Sequence, residues 1–178
     1  ETQWRSAIIN TKRILRDAKR ARELGSQATI ISMHWGTEKD SNANSMQTSI
    51  ADELTASGLV DLIVGHHAHV VQPTNQVNGI WVMYGLGNVL SNLPTDERWP
   101  INSQDAVIAT TALTISPSGK AIFEKPVMHP TWVDKNNGWV IRDVQKSLRS
   151  PTISYGLARE LELSLGRTTQ VLGDYITK

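Results

Sequence analysis

The 178-residue chain contains no cysteine. Thiolate metal sites and disulfides are therefore excluded, and a metal would have to be held by nitrogen and oxygen donors. No apolar stretch reaches the roughly 18 residues that a membrane-crossing helix needs. Contact with a membrane is therefore expected only through a segment not in this chain. Charge of one sign is also missing: 18 Lys and Arg against 17 Asp and Glu leave a formal net charge of +1, with no basic stripe. No nucleic-acid partner is expected, because such binders present surfaces that neutralise phosphates. There is no internal repeat and no low-complexity segment. What is present, 39% hydrophobic and 20% charged residues, fits a folded domain. Residues 1–178 are read as a single domain.

Three segments run from an apolar stretch straight into polar residues capable of binding metals. In the first, Asp61-Leu62-Ile63-Val64-Gly65 leads into His66-His67-Ala68-His69, so three of the five histidines fall within four residues. Neutral imidazole is the commonest metal ligand. In extended backbone, residues i and i+2 point the same way, so His67 and His69 are expected to converge while His66 diverges. The second segment, 28–33, ends in His34, with Glu38 four residues on. The third, 79–84, ends in Gly85-Leu86-Gly87-Asn88. Taken singly, a histidine after a strand is an ordinary structural residue, and Asn88 between small residues is an ordinary turn. Together they match the rule that open α/β sheets place sites beyond the carboxyl ends of their strands.

The remaining periodicity gives a coarse architecture. An amphipathic helix spans 4–24 and stops at Gly25, with apolar Trp4, Ala7, Ile14, Leu15 and Ala18 opposite a basic face. A polar loop at 39–45 leads to a second helix over 46–57, then to a strand at 60–64. The strand–loop–helix–strand order implies a right-handed crossover and parallel pairing. After Asn88 comes a loop to residue 104. The stretches 106–115 and 121–127, separated by Ser116-Pro117-Ser118-Gly119, read as an antiparallel hairpin. A weak boundary near 128–150 carries the loop-like Lys135-Asn136-Asn137-Gly138, while 154–165 reads as a helix and 168–176 as a separate short one.

The order Ser32-Met33-His34-Trp35-Gly36-Thr37-Glu38, then Asp61 to Pro73, then Tyr84 to Asn88 resembles the capsule-synthesis (CapA, poly-gamma-glutamate) family. That family belongs to the calcineurin-like metallophosphoesterase superfamily. The resemblance covers roughly residues 1–125. Ala68 stands where family members often have Pro, and Gly85-Leu86-Gly87-Asn88-Val89 replaces their Ser-Leu-Gly-Asn-Phe. The resemblance implies an α/β fold that forms part of an αββα sandwich, with parallel strands, flanking helices and an antiparallel hairpin. It also implies a dinuclear metal centre of divalent ions (Mn, Fe or Zn). In such a site His34, His67 and His69 would be ligands, Glu38 a base or orienting acid, His66 a proton carrier and Asn88 a donor to substrate oxygen. The superfamily's early Asp, Gly-Asp step and Asn-His pair have no counterpart here. The chain is accordingly expected to be the C-terminal portion of such a domain. Its missing N-terminal half would be the principal partner and would supply most carboxylate ligands.

Two functions follow from the resemblance. One is a metal-dependent hydrolase acting on a phosphoester or related substrate. The other is a non-catalytic component that binds an anionic polymer during capsule assembly or export. Both imply a bacterial cell-envelope or extracellular setting.

Overall fold

A computed structural model of the chain describes residues 8–177. The Trp4 and Ala7 positions of the helix expected over 4–24 lie outside the described residues, and residues 8–10 are not helical. Helix α1 runs Thr11–Glu23 and begins where the Asn10 side chain accepts a hydrogen bond from the Arg13 backbone N–H. Its basic face carries surface pairs such as Arg13–Asp17 and Arg20–Glu23. Strand β1 (Ile30–His34) follows, then α2 (Ser45–Ala56). A capping box starts α2: Asn44 and Gln47 each bond the other's backbone N–H. Next come β2 (Leu62–His66), β3 (Thr74–Val77) and β4 (Ile80–Met83).

These strands form one sheet in the order β1-β2-β4-β3. The β1–β2 and β2–β4 pairs are parallel, and β3 is antiparallel to β4. The parallel crossovers agree with the sequence reading. The edge strand β3 was not expected, because its polar residues Asn75 and Gln76 carry no strand signature, although Asn78-Gly79 is a strong hairpin turn.

The second half builds another layer. Strands β5 (Asp105–Thr110), β8 (Val127–Asp134) and β9 (Val140–Asp143) form an antiparallel sheet, and β6 (Leu113–Ile115) with β7 (Ala121–Phe123) forms a separate ribbon. The hairpin expected over 106–127 is therefore split: its turn half is β6–β7, while β5 pairs with β8. The loop-like Lys135-Asn136-Asn137-Gly138 is a short 3-10 turn, and around it residues 128–150 hold most of β8, all of β9 and helix α3 (Val144–Leu148). Helix α4 runs unbroken through Tyr155–Leu172, where two helices had been expected.

Three apolar clusters define the stacking. Met33, Trp35, Ile63, Val82 and Tyr84 pack with Leu54 of α2 and with Ile14 and Leu15 of α1. The opposite face of the first sheet, through Leu62, Val64, Trp81 and Met83, packs on Val107, Met128 and Leu172. Trp132, Val144 and Leu161 then join the second sheet to α3 and α4. The result is helices, sheet, sheet, helices. This is the α/β sandwich read from the sequence. Among the described residues, no helix is long and apolar enough to cross a membrane.

Strand β1 is the open edge. Its Met33 is buried, but Ile30, Ser32 and His34 on the other face are exposed, and Ile30 shows 54% of its surface. A cleft lined by Ile8, Ile9, Ile14 and Ile30 runs along it.

Candidate functional site

The site lies beyond the carboxyl ends of β1 and β2, and a tryptophan and a glycine fix its floor. Trp35, buried to 2%, follows His34 and donates its indole N–H to the Tyr84 carbonyl at 3.0 Å. Its ring stacks on Tyr84 with centroids 5.8 Å apart. The indole thus reaches from β1 to the end of β4, across β2. Gly65 is what lets it pass: a Cβ there would sit 1.9 Å from the Tyr84 oxygen and 2.4 Å from the indole nitrogen. In the same register, His34 lies opposite His66.

The histidine loop then leaves the sheet. His67 has φ 98° and His69 φ 60°, so neither continues the strand. The period-two argument for their convergence does not describe this backbone. Left-handed turns bring the rings together instead. The His67 ring lies 4.5 Å from that of His34 and 6.3 Å from that of His69, centroid to centroid. His34, His67 and His69 therefore form a row at one end of the sheet. His66 is exposed at the end of β2, and burial followed by the nearby His34 lowers its pKa below the ordinary 6.5.

Asn88 is the best-anchored member. Its Nδ2 donates to the carbonyls of His69 and Ser103, both at 3.0 Å, and its Oδ1 lies 2.9 Å from His69 Nδ1. Only one orientation of the amide suits two carbonyl acceptors, so Oδ1 must face the ring. His69 Nδ1 then carries a proton, so that in the neutral ring the lone pair is on Nε2. Both amide hydrogens of Asn88 are committed to the backbone, so its geometry is that of an orienting group rather than a donor to substrate. The close approach of this turn to β5 requires Gly87, which has φ +74° and whose added Cβ would fall 2.4 Å from the Asp105 carbonyl.

Glu38 sits exposed in the turn after β1 and makes no hydrogen bond or ion pair among the described residues. The turn itself is well held. Gln47 and Gln72, both fully buried, bond each other at 2.8 Å, and Gln72 Nε2 donates to the carbonyls of Asp40 and Asn42. The Lys39 N–H donates to the Ala68 carbonyl at 2.8 Å, which ties the Glu38 turn to the histidine loop.

Two neighbours escaped the sequence reading. The Trp99 ring meets His69 edge-on at 5.2 Å, and the Lys39 ammonium lies 4.7 Å from the Trp99 centroid. Trp99 lies in a loop with no periodicity, so no sequence signal ties it to His69. Lys39 has φ 70°, a conformation costly for a residue with a Cβ.

The donors fit a metal centre only in part. The histidines supply neutral nitrogen, but among the described residues no group of three or more His, Asp or Glu is arranged to hold an ion. Of the other acids, two are committed elsewhere. Asp61 is buried against Arg22 and the Thr29 N–H, and Asp96 pairs with Arg98.

Comparison with known proteins gives a consistent picture. Residues 1–93 match the family model described as bacterial capsule synthesis protein PGA_cap. The PGA biosynthesis protein CapA of Bacillus subtilis is 30% identical over 132 residues, which is 64% of this chain and 33% of that protein. The capsule biosynthesis protein CapA of Bacillus anthracis is 29% identical over 91 residues, covering 51% of this chain and 21% of that protein. The chain thus spans about a third or less of the relatives it matches.

Proposed function

This chain belongs to the bacterial capsule synthesis protein family PGA_cap, and from that premise we propose that it carries the imidazole part of a metal-dependent hydrolase site used in capsule biosynthesis. The observation that carries this reading is the Asn88–His69 pair, which fixes the ring tautomer so that Nε2 is free to ligate. His34 and His67 stand beside it in the same row. Bound divalent cations would supply Lewis acidity toward a phosphoryl or acyl oxygen. Glu38, exposed beside the row, is placed to serve as a base or an orienting acid, and His66 to carry a proton.

The missing carboxylates are assigned to polypeptide outside this chain, since the relatives are about three times as long as the matched stretch. The open edge of β1 is the natural place for that polypeptide to add a strand. A capsule role puts the site of action at the bacterial envelope or outside it.

The test is metal-dependent hydrolysis of a phosphodiester by a protein of the relatives' full length. Substituting His67→Ala or His69→Ala should abolish the manganese- or zinc-dependent turnover. No metal-dependent turnover by that protein would remove the hydrolase reading, and turnover that survives both substitutions would remove the histidine row from it.

A second reading, binding of an anionic polymer without catalysis, has its own support. The Lys39 ammonium is held over Trp99 beside His69, a fixed positive charge at the rim of the site. Binding of a γ-linked glutamate oligomer that weakens with salt and with Lys39→Ala, in a protein without turnover, would favour it.

A further inference from the structure

Lys39 stands beside the histidine row with its charge unspent. Its ammonium makes no ion pair among the described residues, although Glu38 and Asp40 flank it in the chain. Asp40 turns its carboxylate instead to the N–H and the side-chain amide of Asn42. The Lys39 ammonium lies over the Trp99 ring, 4.7 Å from its centroid, and that ring meets His69 edge-on at 5.2 Å. Ammonium and imidazole are thus close enough to contact neighbouring groups of one substrate.

The backbone gives a second reason to look at this side chain. Lys39 has φ 70°, which a residue with a Cβ adopts only at a cost. Its N–H donates to the Ala68 carbonyl of the histidine loop, a bond that glycine would make equally well. Glycine would therefore keep the turn and remove the strain. A strained residue whose backbone contacts need no side chain points to a use for that side chain.

Trp99 is fixed from behind. Its N–H donates to the Asp96 carbonyl at 3.2 Å, and the Asp96 carboxylate takes the Arg98 N–H and guanidinium. Further back, the same loop is tied to the turn between β8 and β9. The Lys135 ammonium donates to the Leu93 carbonyl, and the Trp139 indole N–H donates to Asn92 Oδ1 at 3.2 Å.

We propose that Lys39 is the specificity-determining residue of the candidate site: its ammonium binds a singly charged oxygen anion of the substrate, next to the group taken by the histidine row, and Trp99 is the positioning residue that holds it there. Carboxylates and phosphodiesters both supply such an anion. One ammonium matches one negative charge, and a dianion would also meet the exposed Glu38 beside it. An ammonium is a compact charge without a fixed fork, so it selects charge rather than shape. The identity of the neighbouring group rests on the hydrolase reading; the anion contact does not.

The experiment uses the metal-free protein at the relatives' full length, at low salt, and follows the Trp99 indole N–H by NMR. The probes are monomethyl succinate, dimethyl phosphate and the uncharged dimethyl succinate. A saturable shift is expected with at least one anion and none with the neutral ester; the stronger of the two anions identifies the source. Lys39→Gly, which glycine's tolerance of this φ protects from misfolding, should weaken anion binding about fivefold, the loss of one exposed charge contact. Lys39→Arg should retain most of it. Trp99→Leu should weaken binding less, and should add nothing to Lys39→Gly, because it acts through that lysine. In turnover, a 4-nitrophenyl phosphodiester carrying a carboxylate arm should show a several-fold lower KM than its methyl ester at similar kcat, and Lys39→Gly should equalise the two. Absence of turnover would count against the hydrolase reading alone, since the binding series still decides on Lys39. No saturable shift with either anion up to tens of millimolar, an equal response to the neutral ester, or anion binding unchanged in Lys39→Gly would overturn the proposal.

Discussion

The two sheets of this molecule distribute their strain and charge in opposite ways. In the second sheet, ionisable groups are paired and buried. Asp105, 1% exposed at its side chain, is gripped by Arg167 and Ser164, and Asp134, 2% exposed, is gripped by Arg142 and Asn137. At the carboxyl end of the first sheet the pattern reverses. Of five non-glycine residues with positive φ among those described, Lys39, His67 and His69 belong to the candidate site, while the paired charges lie elsewhere. The second sheet pairs its buried charges, although Thr131 Oγ1 and Trp132 Nε1 stay without partners. The candidate site leaves imidazole donors free and holds backbone in costly conformations.

Breaking the scaffold should give the largest effect. Arg167→Ala leaves the buried Asp105 carboxylate without its counter-charge and should cost about 3 kcal/mol of unfolding free energy, read from denaturant midpoints. Asn88→Ala, which acts at the junction of the two regions, should cost about 1–2 kcal/mol by leaving two part-buried carbonyls unpaired. Its sharper readout is nitrogen NMR of His69, where the single Nδ1–H tautomer should give way to exchange. Lys39→Gly should do the reverse and stabilise by about 1 kcal/mol, because glycine accepts positive φ without strain. A destabilised Lys39→Gly would mean that the turn is not strained.

The smallest effect concerns pH. Burial raises the pKa of Asp105 above the ordinary carboxylate value, against the opposing pull of Arg167 and Ser164. The folded chain then keeps this proton to higher pH than the unfolded chain does. Between the unfolded value, about 3.9, and the raised folded value, the Asp105 contribution to stability should fall as pH rises. Asp105→Asn should flatten that part of the stability–pH curve.

The sequence made the site's neighbourhood legible, and most of the first sheet with it. β-Branched runs before His34 and His66 mark β1 and β2 to within two residues. His67 and His69 were rightly grouped, but on an extended-backbone argument that their positive φ values overturn. The second sheet was harder to see for a physical reason. Strand β8 is mostly buried from Met128 to Asp134, so it lacks the period-two alternation of a one-sided strand, and Pro130 argues against a central strand. Helix α4 looked like two helices because Ser164 and Thr168, both buried, occupy core positions normally held by apolar residues; Ser164 faces Asp105, a partner 59 residues away. Long-range polar pairing leaves no periodic trace. The same holds for Trp99, which meets His69, and for Lys39, which meets Trp99, only through tertiary structure.

Calorimetric titration of the 178-residue chain with manganese and zinc tests the central claim most directly. The account predicts weak binding that is lost in His67→Ala and His69→Ala, with tight uptake of two ions only in a protein of the relatives' full length, where further carboxylates offset the cationic charge. Tight binding of two ions by this chain alone, or binding indifferent to both histidine substitutions, would contradict it.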